Sequence, residues 1–409
     1  MNRMDGKDLY KMDPLKISVL FWEDRTPGVP EHDDVVDQVA AALTEGGHKV
    51  SLIGIYNDLR ELLDRLDEQK PQLVFNLCER FADNDLFDMH VITVLDMLGV
   101  PFTGAAPLGA ALRQDKTVTK KLLKFHDVPY PNAITFDKNE IEFAGNIRFP
   151  LFVKPVSGDA SSGIDDSSLV TEYSKLVERI SFIQTQLKLP ALVEEYIAGR
   201  EFYVSILGNS PAEVLPVMEL DFAKLPDGYP KIYGADAKSD QSSVQYNSVN
   251  AIVATELSPE VRARIANVGR EAAYALKVRD YARVDIRLTD DGRAVVLEVN
   301  ANPYLERTSA FALAALQAGM GYTTLINRIA EIAWKRYESN PALTEFQKSR
   351  AGRTRIRRKP VKAVDSNGNH AETGGRSSPQ APEAARKEEA RPKPAEKEES
   401  KSKAEEKRS

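Results

Sequence analysis

The sequence predicts an α/β opening, a following α+β region and a disordered, charged tail. Between residues 16 and 98, segments of strand and helix spacing alternate in the order βαβαβα, which is typical of a parallel sheet with helices on both faces. Beyond about Gln114, short strands and helices mix without that order. After Phe346, the last aromatic residue, too few large apolar side chains remain to offset the entropy of ordering the chain.

The opening alternates apolar runs with segments of helical spacing. Glycines follow two of the helical segments, at Gly46-Gly47 and at Gly99, where they favour helix termination. In chain order, the predicted elements are strand Lys16–Trp22, helix Val35–Glu45, strand Lys49–Ile55, helix Leu59–Gln69, strand Leu73–Asn76 and helix Phe87–Leu98.

The second region begins with a basic helix around residues 115–125. The elements predicted after it are strands Ala133–Phe136 and Phe149–Lys154, helix Thr171–Leu187, strands Ala191–Glu195, Glu201–Leu207 and Glu213–Leu220, helix Pro259–Leu276, and strands Tyr281–Leu288 and Ala294–Val299. We therefore expect an N-terminal Rossmann-like domain over residues 15–112, a central subdomain over 113–210, a C-terminal subdomain over 211–340 and a disordered tail over 341–409.

Charge is distributed unevenly. The net charge is −6, but residues 341–409 carry 18 Lys and Arg against 11 Asp and Glu, while the remainder carries 37 against 50. The basic stretch 353–362 is consistent with an anionic partner or with simple solubilisation, and its partner stays open. A single cysteine, Cys78, excludes an internal disulfide framework, and the sequence has no apolar run long enough to span a bilayer. We expect a reducing, cytoplasmic compartment.

A candidate metal site lies in the segment from Arg283 to Pro303. The turn signal Asp290-Asp291-Gly292 predicts a hairpin that brings Asp285 beside Glu298 and Asn300, with the last two on one strand face. Oxygen donors of this kind suit a hard cation such as Mg²⁺. The competing interpretation is a solvated acidic surface.

Two further segments combine charged and small residues. Lys154 ends an apolar strand and precedes a loop with Gly158, Ser161, Ser162 and Gly163, whose backbone N–H groups could approach an anion. The spacing is not that of a Walker loop, and a plain flexible connection is the alternative. Glu194 and Glu201 flank a turn at Ala198-Gly199, where they could bind amino or hydroxyl groups or simply be exposed.

These motifs, taken in order, resemble the ATP-grasp superfamily and, within it, the D-alanine–D-alanine ligases. The resemblance runs from Lys16 to Glu338 and leaves the tail outside. It is carried by the segments Leu98–Gly104, Gln114–Lys116, Lys154 with its loop, Val193–Glu201, Arg283-x-Asp285 and Glu298-x-Asn300-x-x-Pro303. It implies an ATP-grasp fold preceded by a Rossmann-like domain, and amide formation through an acyl phosphate.

The resemblance also implies roles for individual residues. The cofactors would be ATP and two Mg²⁺ or Mn²⁺ ions. Lys116 and Lys154 would hold phosphates, Glu194 and the backbone near Ile197 the adenine, Glu201 the ribose, Asp285, Glu298 and Asn300 the metal ions, and Arg283, Lys238 and Ser161 would take part in catalysis. The loop over residues 157–163 would close over the phosphates. A homodimer is the expected assembly.

The substrate side departs from the family pattern. Glu79 stands where family ligases usually carry His, and Ser239 where D-alanine-using members commonly have Tyr. Glu31 is the candidate for an amino group, and Ser309 for the carboxylate of the second substrate. The predicted activity is therefore ligation of D-alanine or of another amino acid or peptide, with a non-catalytic ATP-binding protein as the alternative. A dinucleotide-dependent dehydrogenase is excluded because no Gly-x-Gly-x-x-Gly turn follows Trp22.

Overall fold

The structure, a computed structural model, describes residues 12–28, 32–137, 141–144, 146–158 and 163–340. The chain divides into two compact units, Met1–Gly352 and Arg353–Ser409. The second unit lies wholly outside the described residues, as does the whole predicted tail over 341–409.

The first layer is a three-stranded sheet that is parallel, as the sequence predicts, and the structure gives its strand order as β2-β1-β3. Residues Ile17 and Val19 of β1 pack on one face with helices α1 and α11, and Leu20 packs on the other face with α2 and α3. The elements of this layer are β1 (Lys16–Trp22), α1 (Asp34–Glu45), β2 (Lys49–Ile55), α2 (Leu59–Gln69), β3 (Leu73–Asn76), α3 (Asp88–Met97) and α4 (Pro107–Gln114), and helix α11 (Tyr322–Glu338) joins them from the far end of the described chain.

The second layer is a five-stranded antiparallel sheet of order β5-β4-β8-β6-β7. One helix covers it, and that helix runs on into a π-helical turn at Ile183–Leu187. The elements are α5 (Lys116–Phe125), β4 (Ala133–Phe136), β5 (Ile141–Ala144), β6 (Leu151–Pro155), β7 (Leu169–Val170), α6 (Tyr173–Phe182) and β8 (Ala191–Glu195).

The third layer is a six-stranded antiparallel sheet of order β12-β11-β9-β13-β14, with β10 paired to β9. Helix α9 packs on one face through Ile265, and the other face joins the core of the parallel sheet through Tyr203 and Tyr281. The elements are β9 (Arg200–Leu207), β10 (Glu213–Val214), β11 (Met218–Asp221), α7 (Ala235–Ser239), α8 (Val244–Ser248), β12 (Asn250–Val253), α9 (Pro259–Ala275), β13 (Tyr281–Leu288), β14 (Ala294–Asn300), α10 (Ala310–Gln317) and α11 (Tyr322–Glu338).

One predicted strand is wrong. The segment Glu213–Leu220 forms two short strands, Glu213–Val214 and Met218–Asp221, instead of one. Pro216 lies between them and has no N–H group to donate to a sheet ladder. The structure also contains elements that the sequence analysis did not predict, namely β5, β7, β12, α4, α7, α8, α10 and α11.

Candidate active site

The predicted hairpin brings the three candidate metal ligands together. Strands β13 and β14 are antiparallel, Asp285 is directly opposite Glu298, and Arg283 is opposite Asn300. The amide nitrogen of Asn300 donates to Asp285 Oδ2 over 3.3 Å. The ladder shifts register just after Asp285, as in a β-bulge, which re-aims side chains locally. Within the described ranges no three His, Cys, Asp or Glu side chains converge, so the candidate set is two carboxylates and one amide.

Arg283 is bound to the central carboxylate of this set. Its Nε and Nη2 donate to the two oxygens of Asp285 at 2.7 and 2.9 Å, and its guanidinium lies 4.4 Å from the centre of the Tyr203 ring. Burial raises the pKa of Asp285, and Arg283 only partly opposes that rise. A divalent cation bound here would favour the ionised carboxylate.

Two buried lysines share one buried carboxylate, that of Glu194, which lines the same cleft as Asp285 and Glu298. Lys120 Nζ lies 2.7 Å from Glu194 Oε2, and Lys154 Nζ lies 2.7 Å from Glu194 Oε1. All three side chains are buried. Burial acts to raise the pKa of Glu194, but the two ammonium groups outweigh it and hold that pKa below its usual value. Each oxygen of Glu194 thus forms an ion pair with one of the two lysines.

Lys116 connects the loop that follows Lys154 with the candidate metal ligands. Its Nζ donates to the carbonyl oxygen of Gly158 at 3.0 Å and lies 3.7 Å from Glu298 Oε1. The loop continues through residues 159–162, which are not described, so Ser161 lies outside the described residues. Arg179 anchors the far end of the loop, because its Nη2 donates to the carbonyl oxygen of Gly163 at 2.6 Å.

Glu201 is held by an arginine of the same sheet. Arg287 donates from Nε and Nη2 to Glu201 Oε2 at 2.9 and 2.8 Å. Its Nη1 donates to the carbonyl oxygen of Ile197 at 2.9 Å and to the hydroxyl of Tyr196 at 2.9 Å. Arg287 therefore fixes the β8–β9 connection against β13 and contacts two of the three residues that the sequence analysis associates with the nucleoside, Ile197 and Glu201.

The remaining candidates lie in different places. Lys238 lines the same cleft as Asp285 and Glu298. Ser309 caps helix α10, where its Oγ accepts from the N–H of Ala312 at 3.4 Å. Ser239 ends α7, but its side chain is outside the described set, and Glu31 lies outside the described residues altogether. Glu79 lines a second cavity of about 380 Å³.

The sequence analysis missed three basic residues that contact the candidate site residues or their loop, and periodicity could have found two of them. Lys120 lies one helical turn after Lys116, so both project from one face of α5. Arg287 lies two residues after Asp285, so the two share a strand face with Arg283. Arg179 has no such signal, because it approaches the loop from a separate helix, α6.

Two antiparallel sheets that enclose a basic and acidic cleft, preceded by a parallel sheet, define an ATP-grasp fold. The family model described as "D-ala D-ala ligase C-terminus" matches residues 124–331, about half of the chain. The chain belongs to the D-alanine–D-alanine ligase family.

Individual relatives agree with this placement. The chain is 37% identical over 314 residues to "Uncharacterized protein y4sG" of Sinorhizobium fredii, covering 76% of this chain and 90% of that protein. It is 29% identical over 302 residues to a D-alanine–D-alanine ligase of Carboxydothermus hydrogenoformans, covering 72% of this chain and 90% of the ligase.

Solved structures show the same fold. A D-alanine–D-alanine ligase of Bacillus anthracis complexed with ATP matches with a TM-score of 0.60 and 23% identity, covering 81% of this chain and 99% of that one. The VanG D-Ala:D-Ser ligase of Enterococcus faecalis matches with a TM-score of 0.58 and 20% identity, covering 78% and 99%. In the described part of the chain, no helix is both long and apolar enough to cross a bilayer.

Proposed function

We propose that this protein is an ATP- and Mg²⁺-dependent ligase that joins the carboxylate of one amino acid or peptide to the amine of another. The observation that carries the proposal is the shared cleft, in which Lys154 faces Asp285 and Glu298. Fixed ammonium groups suit anionic phosphates, and carboxylate oxygens suit Mg²⁺. The relatives named as D-alanine–D-alanine ligases support amide formation as the reaction.

The donor set fits a hard cation. A carboxylate offers about four lone-pair positions, and Arg283 with Asn300 occupies three of those on Asp285. A metal ion would take the remaining position on Asp285 or the position that the amide nitrogen of Asn300 now occupies there. Glu298 would supply a second carboxylate. When bound, Mg²⁺ neutralises charge on the phosphoryl group in transfer.

The proposed reaction has two steps. A substrate carboxylate oxygen attacks the γ-phosphorus of ATP and ADP leaves; the amine of the second substrate then attacks the acyl carbon, phosphate leaves and the nitrogen loses a proton. Lys116 and Lys154 would hold the phosphates, and the remaining N–H donors of Arg283 would face the developing oxyanion. Lys238 and Ser161 would take part in catalysis, and Ser309 would bind the carboxylate of the second substrate.

The first experiment measures ADP release and product mass with ATP, Mg²⁺ and a panel of D- and L-amino acids and dipeptides. We expect Asp285→Asn to lower ADP release at least about 100-fold, since it removes a charged ligand from the site. Asp290→Asn is the matched control, because it makes the same change at an exposed position of the same hairpin.

Wild-type rates in Asp285→Asn would contradict the metal assignment. D-alanyl-D-alanine as the product would show that this protein uses the substrate for which its relatives are named. ADP release only with another amino acid would show that its specificity differs from theirs. ATP binding without ADP release across the panel would favour the non-catalytic alternative.

A further inference from the structure

A further cavity, of about 730 Å³, lies beside helix α9, at the last residues of β9 and the first residues of β13. Its volume is within the range of small-molecule pockets. It shares no lining residue with the cleft of Asp285 and Glu298, so it is separate from the candidate active site. We call it the α9 cavity and define it by the lining residues His126, Ile206, Arg270, Glu271, Tyr274 and Arg279.

Arg279 is a half-buried arginine of this lining, and it forms no ion pair with a carboxylate of the described residues. Its Nε donates to the carbonyl oxygen of Gly104 at 2.8 Å, and its guanidinium carbon lies 4.9 Å from the centre of the Phe102 ring. Nη2 is buried without a partner in the described part of the chain, whereas Nη1 is neither hydrogen-bonded there nor fully buried. Nη1 is therefore the donor that a ligand can reach.

The charge of Arg279 is compensated only in part. Burial lowers the pKa of its guanidinium, and nearby Arg336 lowers that pKa further. Tyr337, Asp280 and Asp96 act in the opposite direction and do not outweigh these two effects. Both oxygens of Asp280 already accept from Arg336. Because a charge removed from water is normally paired, an anion beside Arg279 would supply a counter-charge that the protein provides incompletely.

A second arginine and one carboxylate complete the charged part of the lining. Arg270 is exposed on α9, where its Nη1 donates to the amide oxygen of Asn267 at 2.9 Å, and no ion pair joins it to a carboxylate of the described residues. Glu271, the next residue, is also exposed. Two arginines against one glutamate leave one positive charge, so the field in the cavity favours a ligand with a single negative charge.

Aromatic and aliphatic side chains form much of the remaining lining. Tyr274 is exposed, and its ring centre lies 6.0 Å from that of His126 in an edge-on arrangement. Ile206, Ala273 and Ala282 add apolar surface. Aromatic rings form favourable stacked or edge-on contacts with a further ring. The cavity therefore suits a ligand that joins a ring to an anionic group.

We propose that the α9 cavity binds a small aromatic monoanion, of which an aromatic carboxylate is the simplest form. The anionic group accepts from Arg279 Nη1 and faces Arg270, and the ring packs against Tyr274. Hydrogen bonds between arginine and a carboxylate are charge-assisted, so the anion contributes strongly to affinity. The inference does not rest on the proposed ligase activity, because the candidate active site takes no part in this binding.

Binding is measured on the full chain by isothermal titration calorimetry in the absence of ATP. The probes are naphthoate, its neutral amide naphthamide, and acetate, which carries the charge without the ring. We expect naphthoate to bind at least about 10-fold more tightly than either of the other two probes.

Variants of the two arginines test the charges. We expect the preference for naphthoate over naphthamide to fall to about 2-fold or less in Arg279→Met and by at least about 3-fold in Arg270→Met. Arg264→Met is the matched control, because Arg264 is another exposed arginine of α9 and lies outside the lining. The preference in this control should equal that of the wild type.

Equal binding of naphthoate and naphthamide would overturn the inference, and so would acetate binding as tightly as naphthoate. A preference that Arg270→Met leaves unchanged would also overturn it, because binding in the cleft of Lys154 would give that result. Arg270 is exposed, so this variant tests the inference even if Arg279→Met does not fold.

Discussion

The Lys120–Glu194–Lys154 cluster illustrates how charge balance acts on single residues. Two ammonium groups and one carboxylate, all buried, have a net charge of +1, and each lysine lies 2.7 Å from the carboxylate. A buried charge is tolerated only when it is paired. Removing the shared partner therefore has a different consequence from removing one of the two lysines.

We expect Glu194→Gln to destabilise the protein by about 3–5 kcal/mol, because it leaves two buried ammonium groups without a counter-charge. Lys120→Met should cost less, under about 2 kcal/mol, since Lys154 and Glu194 remain as a neutral pair and methionine fills a similar volume. Denaturant unfolding of both variants measures the difference. Equal losses in the two variants would contradict this charge balance.

At the scale of elements, the β8–β9 connection depends on a glycine. Gly199 has a φ of +131°, and a Cβ built on it would lie 2.0 Å from the carbonyl oxygen of Leu288 at the end of β13. Neither the backbone conformation nor the space admits a larger side chain. The connection carries Ile197, whose carbonyl oxygen accepts from Arg287.

We expect Gly199→Ala to lower the free energy of unfolding and to raise the KM for ATP, since displacement of the turn shifts Ile197 relative to Arg287. Gly319→Ala is the matched control, because Gly319 has a φ of +83° and no atom of the described residues lies within 4 Å of the position that a Cβ would take. It should show only the backbone strain of about 1–3 kcal/mol. A loss at Gly199 no larger than at Gly319 would exclude the close approach as a cause.

The regular elements were the predictable ones. Strand β1 and the strands of hairpin β13–β14 are clear apolar segments in the sequence. The turn Asp290-Asp291-Gly292 sets the register between β13 and β14. Helix α10 was not predicted because its alanines and leucines show no polar face, and β5, β7 and β12 have only two to four residues each. The predicted domain boundaries stay predictions.

The candidate site was predictable only where its residues share a local element. Asp285, Glu298 and Asn300 belong to one hairpin, whose turn signal is visible in the sequence. The contact between Lys120 and Glu194 spans 74 residues, and no local pattern encodes it. The same holds for Arg179, which reaches Gly163 from another element.

At the scale of the whole molecule, Asp280 connects parts of the chain that are distant in sequence. It is fully buried and accepts from the N–H of Gly104 at 2.9 Å, from Asn209 Nδ2 at 3.0 Å and from Arg336 at 2.7 and 3.0 Å. Arg336 also donates to the carbonyl oxygen of Phe102 at 2.8 Å. The Asp280 carboxylate thus joins three parts of the protein, namely the segment that follows β3, the six-stranded sheet and helix α11.

We expect Asp280→Ala to lower the free energy of unfolding by about 3–5 kcal/mol, because the half-buried guanidinium of Arg336 loses its counter-charge and the buried N–H of Gly104 loses its acceptor. Asp280 has a left-handed φ of +67°, so part of any loss could come from the backbone. Asp127→Ala is the control, since Asp127 has a φ of +55° at an exposed position. If Asp280 couples the layers, the transitions that far- and near-ultraviolet circular dichroism record for Asp280→Ala will no longer coincide, whereas those of Asp127→Ala will. One shared transition in Asp280→Ala, or a loss equal to that of Asp127→Ala, would show that the layers are held together by their common apolar core alone.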